Sequence, residues 1–348
     1  VVDEASMMDL DMTANLLDAL RPDTRLILIG DKDQLASVEA GAVLGSLCQG
    51  ADQGQYDQET VQWLQQHCGE DVSAFAGNGA ALAQQIAMLR VSHRFTSDSG
   101  IGELANAVNQ GDQGLLAAVW QKQHQDIERL SLDSLQHQSL TKLAMDGYSH
   151  YLKVLSQQRP TTEDEIQSWA NQVLTAFDDF QLLCALREGD AGVSGLNRRI
   201  AQALHSNGLI SRAEGWYEGR PVIMTRNDYQ LGLMNGDVGI TVNLAKPDQP
   251  AMLRVAFRLA DGRINLVLPS RLDGAESVYA MTVHKSQGSE FRHTVLVLPD
   301  NNQGVSRELL YTAITRARQR FTLVGTATAL AQPARPTVRA SGLAARLG

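Results

Sequence analysis

Short apolar runs that stop abruptly at glycine or at a polar cluster recur along this chain, with helical repeats between them. Val1-Val2 leads into Asp3-Glu4, and Arg25-Leu-Ile-Leu-Ile-Gly30 closes on glycine. Both runs are expected of parallel strands buried on two faces. Between them Leu10, Leu16, Leu17 and Leu20 predict a helix that ends at Arg21-Pro22. Residues 49–87, rich in Gln, Gly and Asp, read as a surface insertion with one helix from Gln58 to His67. Met88 to Phe95 is a brief apolar stretch that delivers Arg94. Residues 103–178 are predicted mostly helical, with Leu143, Tyr148, Tyr151, Leu152 and Leu155 as a core stripe.

A second sheet is predicted to begin at Gln181–Leu186, followed by a turn over Gly189–Gly195 and an amphipathic helix over Leu196–His205. Pro221–Thr225 is the next strand, ending in the polar cluster Arg226-Asn227-Asp228. Residues 229–275 change character: short β-type segments are punctuated by Asn235-Gly236, Pro247, Pro250 and Asp261-Gly262. Hairpins with no helix between them indicate a small barrel inserted into an α/β domain. The α/β pattern resumes at Val278–Val283, with strands at Thr294–Leu298 and Arg320–Gly325 and a helix over Arg307–Gln319. The residues from Ala331 onward are predicted as a loose tail.

At 348 residues the chain exceeds one ordinary core, so two or three domains are expected. A composition of 43% apolar and 20% charged residues is that of a globular chain without disorder bias, and no apolar run approaches a membrane span. The opening on Val-Val, without Met or a signal peptide, is expected of a chain that begins inside a domain. Cys48, Cys68 and Cys184 are scattered, lack metal-ligand spacing and read as thiols of a cytosolic protein. A net charge of −9 excludes binding of nucleic acid by bulk electrostatics. From Arg292 to Gly348, however, eight Arg face only Asp300 and Glu308, so this end carries +6 and the remainder −15. A nucleic-acid groove must therefore be local.

The candidate chemistry gathers at strand ends. Asp3 and Glu4 form the carboxylate pair with which nucleoside-triphosphate motors hold Mg²⁺ and polarise the attacking water. Taken alone, such a pair reads more often as solvated turn residues. The loop Asp31-Lys32-Asp33-Gln34-Leu35 lies at the carboxyl end of the next strand, where open α/β sheets bind ligands. Strand, helix and strand thus bring Asp3, Glu4 and Gln34 to one rim, where an amide can bond a terminal phosphate and its attacking water. Met281-Thr-Val-His-Lys-Ser-Gln-Gly288-Ser-Glu-Phe291 crowds backbone and side-chain donors into one loop suited to sugar-phosphate oxygens. In Leu309-Leu-Tyr-Thr-Ala-Ile-Thr-Arg-Ala-Arg318, a buried stripe of Leu309, Leu310, Ala313, Ile314 and Ala317 leaves Thr312 and Arg316 on another face. An arginine so held can neutralise transition-state charge, a contribution on the order of 10³–10⁵ in rate.

The ordered set Val-Val-Asp-Glu-Ala-Ser, Gly-Asp-Lys-Asp-Gln-Leu, Ser-His-Arg-Phe, Met-Thr-Val-His-Lys-Ser-Gln-Gly and Tyr-Thr-Ala-Ile-Thr-Arg-Ala resembles superfamily 1 helicases. It is most similar to the alpha-subunit family of exodeoxyribonuclease V, and the resemblance covers nearly the whole chain. It implies RecA-like lobes of the P-loop NTPase class, the first incomplete and lying over residues 1–110. The second lobe, with a helical link, would occupy 111–219 and 276–330, with an inserted SH3-like barrel over 220–275 and the tail over 331–348. By the same resemblance Asp3 would hold Mg²⁺, Glu4 would be the base of ATP hydrolysis and Gln34 would sense the γ-phosphate. Arg94 and Arg316 would reach that phosphate, Gly288 and Glu290 would approach the nucleotide, and Thr225, Asn227, Thr282 and His284 would touch single-stranded DNA. The implied cofactors are ATP and Mg²⁺. The implied partners are single-stranded DNA and the beta and gamma subunits (RecB and RecC), in the bacterial cytoplasm, with no membrane and with 5′→3′ movement.

One departure matters. No Gly-x-x-x-x-Gly-Lys-Ser/Thr occurs anywhere in the sequence, although the family carries this phosphate loop upstream of its Asp-Glu motif. The chain is therefore expected to be a carboxyl-terminal fragment without ATPase activity of its own, with apolar surface and a sheet edge uncovered. Two other readings fit the same motifs: a non-catalytic DNA- or protein-binding module, and a stand-alone helicase of the same family. No acidic cluster resembles a nuclease site, and no histidine has zinc spacing.

Overall fold

The computed structural model describes all residues except 37–42, 97, 134–137, 158–159, 161, 245–250, 301–304, 332–333 and 335–348. Pro247, Pro250 and nearly all of the expected tail lie outside the described residues. The chain divides into two units, one of Val1–Asp98 with Ser306–Thr312, the other of Ser99–Val305 with Ala313–Ala334.

In the first unit, the two expected strands are reduced to a single parallel bridge between Val2 and Leu28. Val2 N–H donates to the Ile27 carbonyl and Ile29 N–H to the Val2 carbonyl, both at 2.8 Å. The reason is physical: a parallel pair flanked by no further strand among the described residues cannot bury both faces. Ile27 and Ile29 are accordingly 46% and 50% exposed, and Val1 82%. Helix α1 (Leu10–Ala19) forms as predicted, capped by the Asp9 carboxylate, which accepts the Met12 N–H at 2.7 Å. Its Leu16 packs with Ala5, Met8, Leu44 and Leu28, but Leu10 and Leu17 face outward, against the predicted inward stripe. A short α2 (Val43–Leu47) and the expected α3 (Gln58–Cys68), capped by Asp57, follow.

The second unit opens with α4 (Gly100–Gln110) and α5 (Gln113–Gln121). Strand β1 (Ile127–Leu132) follows, inside a region read from sequence as helical. Only its last four residues, Arg-Leu-Ser-Leu, alternate polar with apolar, and it becomes an edge strand because it pairs in parallel with a strand nearly two hundred residues away. Helices α6 (Gln138–Ser156) and α7 (Glu163–Phe177) come next, α7 started by a reciprocal capping box between Thr162 and Glu165. Strand β2 (Phe180–Cys184) and α8 (Val193–Ser206) close this half.

An antiparallel sheet is then built from β3 (Pro221–Met224), β4 (Val238–Leu244), β5 (Met252–Arg258), β6 (Ile264–Val267) and β7 (Ala275–Ser277), in the order β6-β5-β4-β3-β7. Among the described residues its ladder ends at β6 and β7. The chain returns through β8 (Ala280–Thr282), β9 (Phe291–Val297), α9 (Arg307–Thr315), β10 (Ala317–Thr326) and α10 (Ala327–Ala331). These strands form an all-parallel sheet in the order β1-β10-β9-β2-β8, so this is an α/β fold. Helix α9 ends four residues before its predicted limit. Ala317 is drawn into register with Phe291, and Phe291 N–H bonds the Arg316 carbonyl at 2.9 Å. Among the described residues no helix is long and apolar enough to cross a membrane.

Only Val278 and Tyr279, both fully buried, separate β7 of one sheet from β8 of the other. Helix α6 holds this crossing. The Tyr148 hydroxyl donates to the Tyr279 carbonyl, and the Tyr151 hydroxyl donates to the Gly219 carbonyl at 2.9 Å. The hydroxyls of Tyr217 and Tyr279 lie 3.2 Å apart. Burial pushes the phenols of Tyr148, Tyr151 and Tyr279 far above their ordinary pKa, so they remain neutral donors. Two side-chain amides close the sheet edges: Gln167 takes both backbone groups of Ile264 in β6, and Asn197 both of Ala280 in β8.

Gly147 in α6 abuts Phe180, and a Cβ there would meet the ring at 2.4 Å. Gly147→Ala is therefore expected to destabilise by about 1–2 kcal/mol in chemical denaturation, although alanine favours a helix by about 1 kcal/mol over glycine. Adding Phe180→Leu should recover most of that loss. Burial, assisted by Arg320, pushes the His293 imidazole down from 6.5 to about 4. Below pH 6.5 the unfolded chain takes up a proton that the folded chain refuses until about pH 4. The urea midpoint should thus be highest above pH 6.5 and fall towards pH 4, and less steeply in His293→Gln.

Candidate functional site

In the first unit the rim loops meet through Gly30. A Cβ there would lie 3.1 Å from the backbone nitrogens of Ala5 and Ser6 and 2.9 Å from Leu44, so only glycine permits the approach. Ala5 N–H donates to the Ile29 carbonyl at 2.9 Å, which sets residues 3–5 alongside 29–31. Glu4 occupies the left-handed region, φ 53°, which a non-glycine residue adopts at a cost of about 1–2 kcal/mol. Its N–H donates to Oδ1 of the exposed Asp3 at 2.8 Å. Gln34 Nε2 donates to Asp31 Oδ2 at 3.2 Å, while its Oε1 is buried with no hydrogen-bond partner. Such an acceptor suits a donor such as an ordered water.

The same loop is anchored by the first turns of α9, a contribution that sequence reading missed. Leu35 N–H donates to Thr312 Oγ1 at 2.7 Å, and the Tyr311 hydroxyl donates to Asp31 Oδ2 at 3.0 Å. Thr312, expected on a face other than the apolar stripe, is itself fully buried, with its hydroxyl bonded to the loop. The available signal was a hydroxyl placed one turn before Arg316. Lys32 is held by Asp33 at 2.8 Å and Asp52 at 3.4 Å; burial opposes its charge, but the carboxylates outweigh burial and raise its pKa. Arg94 is exposed and lies over the Phe95 ring, 4.9 Å from its centre.

In the second unit, Thr282 ends β8 and its Oγ1 accepts the Lys285 N–H at 3.3 Å, starting a 3₁₀ turn over His284–Ser286. Ser286, fully buried, donates its hydroxyl to the Val283 carbonyl at 2.8 Å. Gly288 is left-handed, φ 75°, with open space around it, so its requirement is conformational rather than steric. Arg316 was expected on a face of the packed helix apart from its buried stripe. It is instead 4% exposed, one residue past α9, and its Nη1 donates to the Ser289 carbonyl at 3.2 Å. The guanidinium thereby pins the loop that carries Gly288 and the exposed Glu290. The Thr225 hydroxyl donates to the Gly274 carbonyl at 2.7 Å. Asn227 uses both ends of its amide within its own loop, towards Tyr229 and Asn235.

A cleft of about 300 Å³ in this unit is lined by Asp178, Gln181, Asp237, Arg258, Lys285 and Glu290, among others. Burial pushes the Asp178 carboxyl up, with Arg258 at 3.4 Å opposing the shift. Among the described residues no group of three His, Cys, Asp or Glu could hold a metal. Mg²⁺ bound through one carboxylate, waters and phosphate oxygens needs no such cluster, and Asp3 fits that role.

Known protein families match parts of this chain. A UvrD-like helicase C-terminal domain matches residues 277–324, and an AAA domain matches residues 1–62. The RecBCD enzyme subunit RecD of Haemophilus influenzae is 37% identical over 93% of this chain and 50% of its own length. That of Mycolicibacterium smegmatis is 36% identical over 100% of this chain and 53% of its own. A Bacteroides Pif1 helicase, solved with ADP-AlF3 and ssDNA, aligns over 96% of this chain and 72% of its own at 15% identity, with a TM-score of 0.45. The chain is a homologue of the RecD subunits of RecBCD enzymes and spans about half of their length.

Proposed function

We propose that this chain is the carboxyl-terminal part of a RecD subunit: an ATP-dependent 5′→3′ DNA helicase that couples ATP hydrolysis to movement on single-stranded DNA. In this reading residues 1–110 belong to the first RecA-like lobe, 111–219 and 276–330 to the second, and 220–275 to an SH3-like barrel. The partners are the RecB and RecC subunits, in the bacterial cytoplasm. The observation that carries the reading is the pair of rim loops joined through Gly30. It places a left-handed Glu4 and the half-satisfied amide of Gln34 on adjoining backbone.

Asp3 would hold Mg²⁺ through its exposed carboxylate, and Glu4 would take the proton of the attacking water. Gln34 Oε1 would accept from that same water while Nε2 remains on Asp31. Arg94 and Arg316 would supply positive charge to the phosphate, while Gly288 and Glu290 would approach the nucleotide. Thr282 and His284, at the end of β8, and Thr225 would contact the strand. ATP and Mg²⁺ supply the leaving group and its charge compensation. The phosphate loop absent from these 348 residues would come from the part of the relatives that this chain does not span. By itself this polypeptide is therefore read as a DNA-binding module carrying half of a motor site.

Single-stranded-DNA-stimulated ATP hydrolysis tests this, comparing the chain with one extended upstream through the phosphate loop. Only the extended chain should turn over, and Glu4→Gln in it should lower kcat by about 10²–10⁴. An extended chain that stays silent with DNA and partner subunits would overturn the motor reading. Arg316→Ala should cost on the order of 10³–10⁵ in kcat. Arg316→Lys should not restore it, because lysine lacks the fork that bonds the Ser289 carbonyl while presenting charge elsewhere.

A further inference from the structure

The segment from Thr225 to Asp237, between β3 and β4, is tied down along its whole length. Asp228 and Leu233 form an antiparallel bridge, bonded in both directions at 2.7 and 3.0 Å. The Asp228 carboxylate accepts the N–H groups of Gln230 and Leu231, both at 3.1 Å. Asn235 N–H donates to Asn227 Oδ1 and Met234 N–H to Asp237 Oδ2, both at 2.8 Å. Leu233 is fully buried among Val222, Met224, Val255 and Phe257, and Leu231 packs against the same cluster.

From this frame Tyr229 projects with 78% of its surface exposed, and Met234 with 43%. A solitary exposed apolar side chain is ordinary. A ring held by its own hydroxyl on a fixed loop is not: Asn227 Nδ2 donates to the Tyr229 oxygen at 3.2 Å. The polar end of the ring is thus tied back while its faces stay open to solvent. A preorganised aromatic face loses little freedom on binding, and every nucleobase offers it a matching face. Arg226, exposed and paired with Asp273, adds a cation three residues earlier.

We infer that Tyr229 is a stacking platform for an unpaired nucleobase of single-stranded DNA, and that Asn227 positions this ring rather than binding DNA itself. The inference rests on the DNA-translocase reading above. It assigns the Asn227 amide, whose two ends are both engaged, to holding Tyr229 and the 235 backbone.

The test measures binding of the chain to a fluorescein-labelled oligothymidylate and to an abasic oligonucleotide of equal length, at fixed salt. Tyr229→Ala should weaken binding to oligothymidylate about 5- to 150-fold and leave the abasic strand unchanged. Tyr229→Phe keeps the ring but loses its bond to Asn227, so it should show the same intermediate loss as Asn227→Ala. Asn227→Ala should give an intermediate loss on the oligothymidylate alone, because the ring is released but present. A 2-aminopurine placed in the strand should be quenched by the parent chain and by Tyr229→Phe, but less by Tyr229→Ala. Equal binding of both oligonucleotides by the parent and Tyr229→Ala overturns the stacking role while leaving the DNA reading intact. Failure of the parent to bind either strand overturns the DNA reading, and the inference with it.

Discussion

Two buried tyrosine hydroxyls, those of Tyr148 and Tyr151, hold the crossing between the two sheets of the second unit. The chain passes from an antiparallel to a parallel sheet across Val278 and Tyr279, with no loop to absorb error. At such a crossing, backbone carbonyls lose the partners that a continuous ladder would supply, and burial makes an unmade bond cost roughly 1–3 kcal/mol. Tyr148 satisfies the Tyr279 carbonyl and Tyr151 the Gly219 carbonyl, so one helix fixes the chain where it enters and where it leaves the antiparallel sheet. Everything distal to Tyr279, including Thr282 and the turn after it, inherits its position from these bonds.

A second constraint acts on that turn from the opposite side. Arg316 is held at the junction of α9 and β10 because the β9–β10 ladder pulls Ala317 into register. Its guanidinium bonds Ser289, next to the left-handed Gly288. The two most specific motifs in the sequence are therefore one structural object within this unit: the arginine of the later motif is a ligand of the earlier motif's backbone. A substitution at Arg316 changes loop conformation as well as charge.

Much of this was legible in the sequence. The apolar runs at Gln181–Leu186 and Thr294–Leu298, the helices at Leu10 and Gln58, and the hairpin composition after 229 all became elements of the expected kind. Those signals are local, and so is the physics behind them. The failures are all non-local. Strand β1 was hidden because four alternating residues are outweighed by the helices around them, and only pairing with β10 selects the strand. Helix α9 stops short because register in a sheet overrides helical propensity. The Val2 and Leu28 strands shrink to a bridge because a parallel strand depends on neighbours. At the candidate site, Asp3, Glu4, Gln34 and Gly288 could be read from motif and spacing. The burial of Thr312 and Arg316, and the frame that presents Tyr229, required partners distant in sequence.

The amides of Gln167 and Asn197 occupy both backbone groups of one residue on the outer strand of each sheet. An outer strand with free N–H and C=O groups is a template for another strand, whether from a neighbour or from a misfolded copy. Each amide mimics a peptide group and fills that position with the protein's own helix. Strands β6 and β8 are short, apolar and β-branched in part, the composition that invites intermolecular pairing. Two helical side chains thus occupy, at one position on each outer strand, the groups through which a further strand would pair.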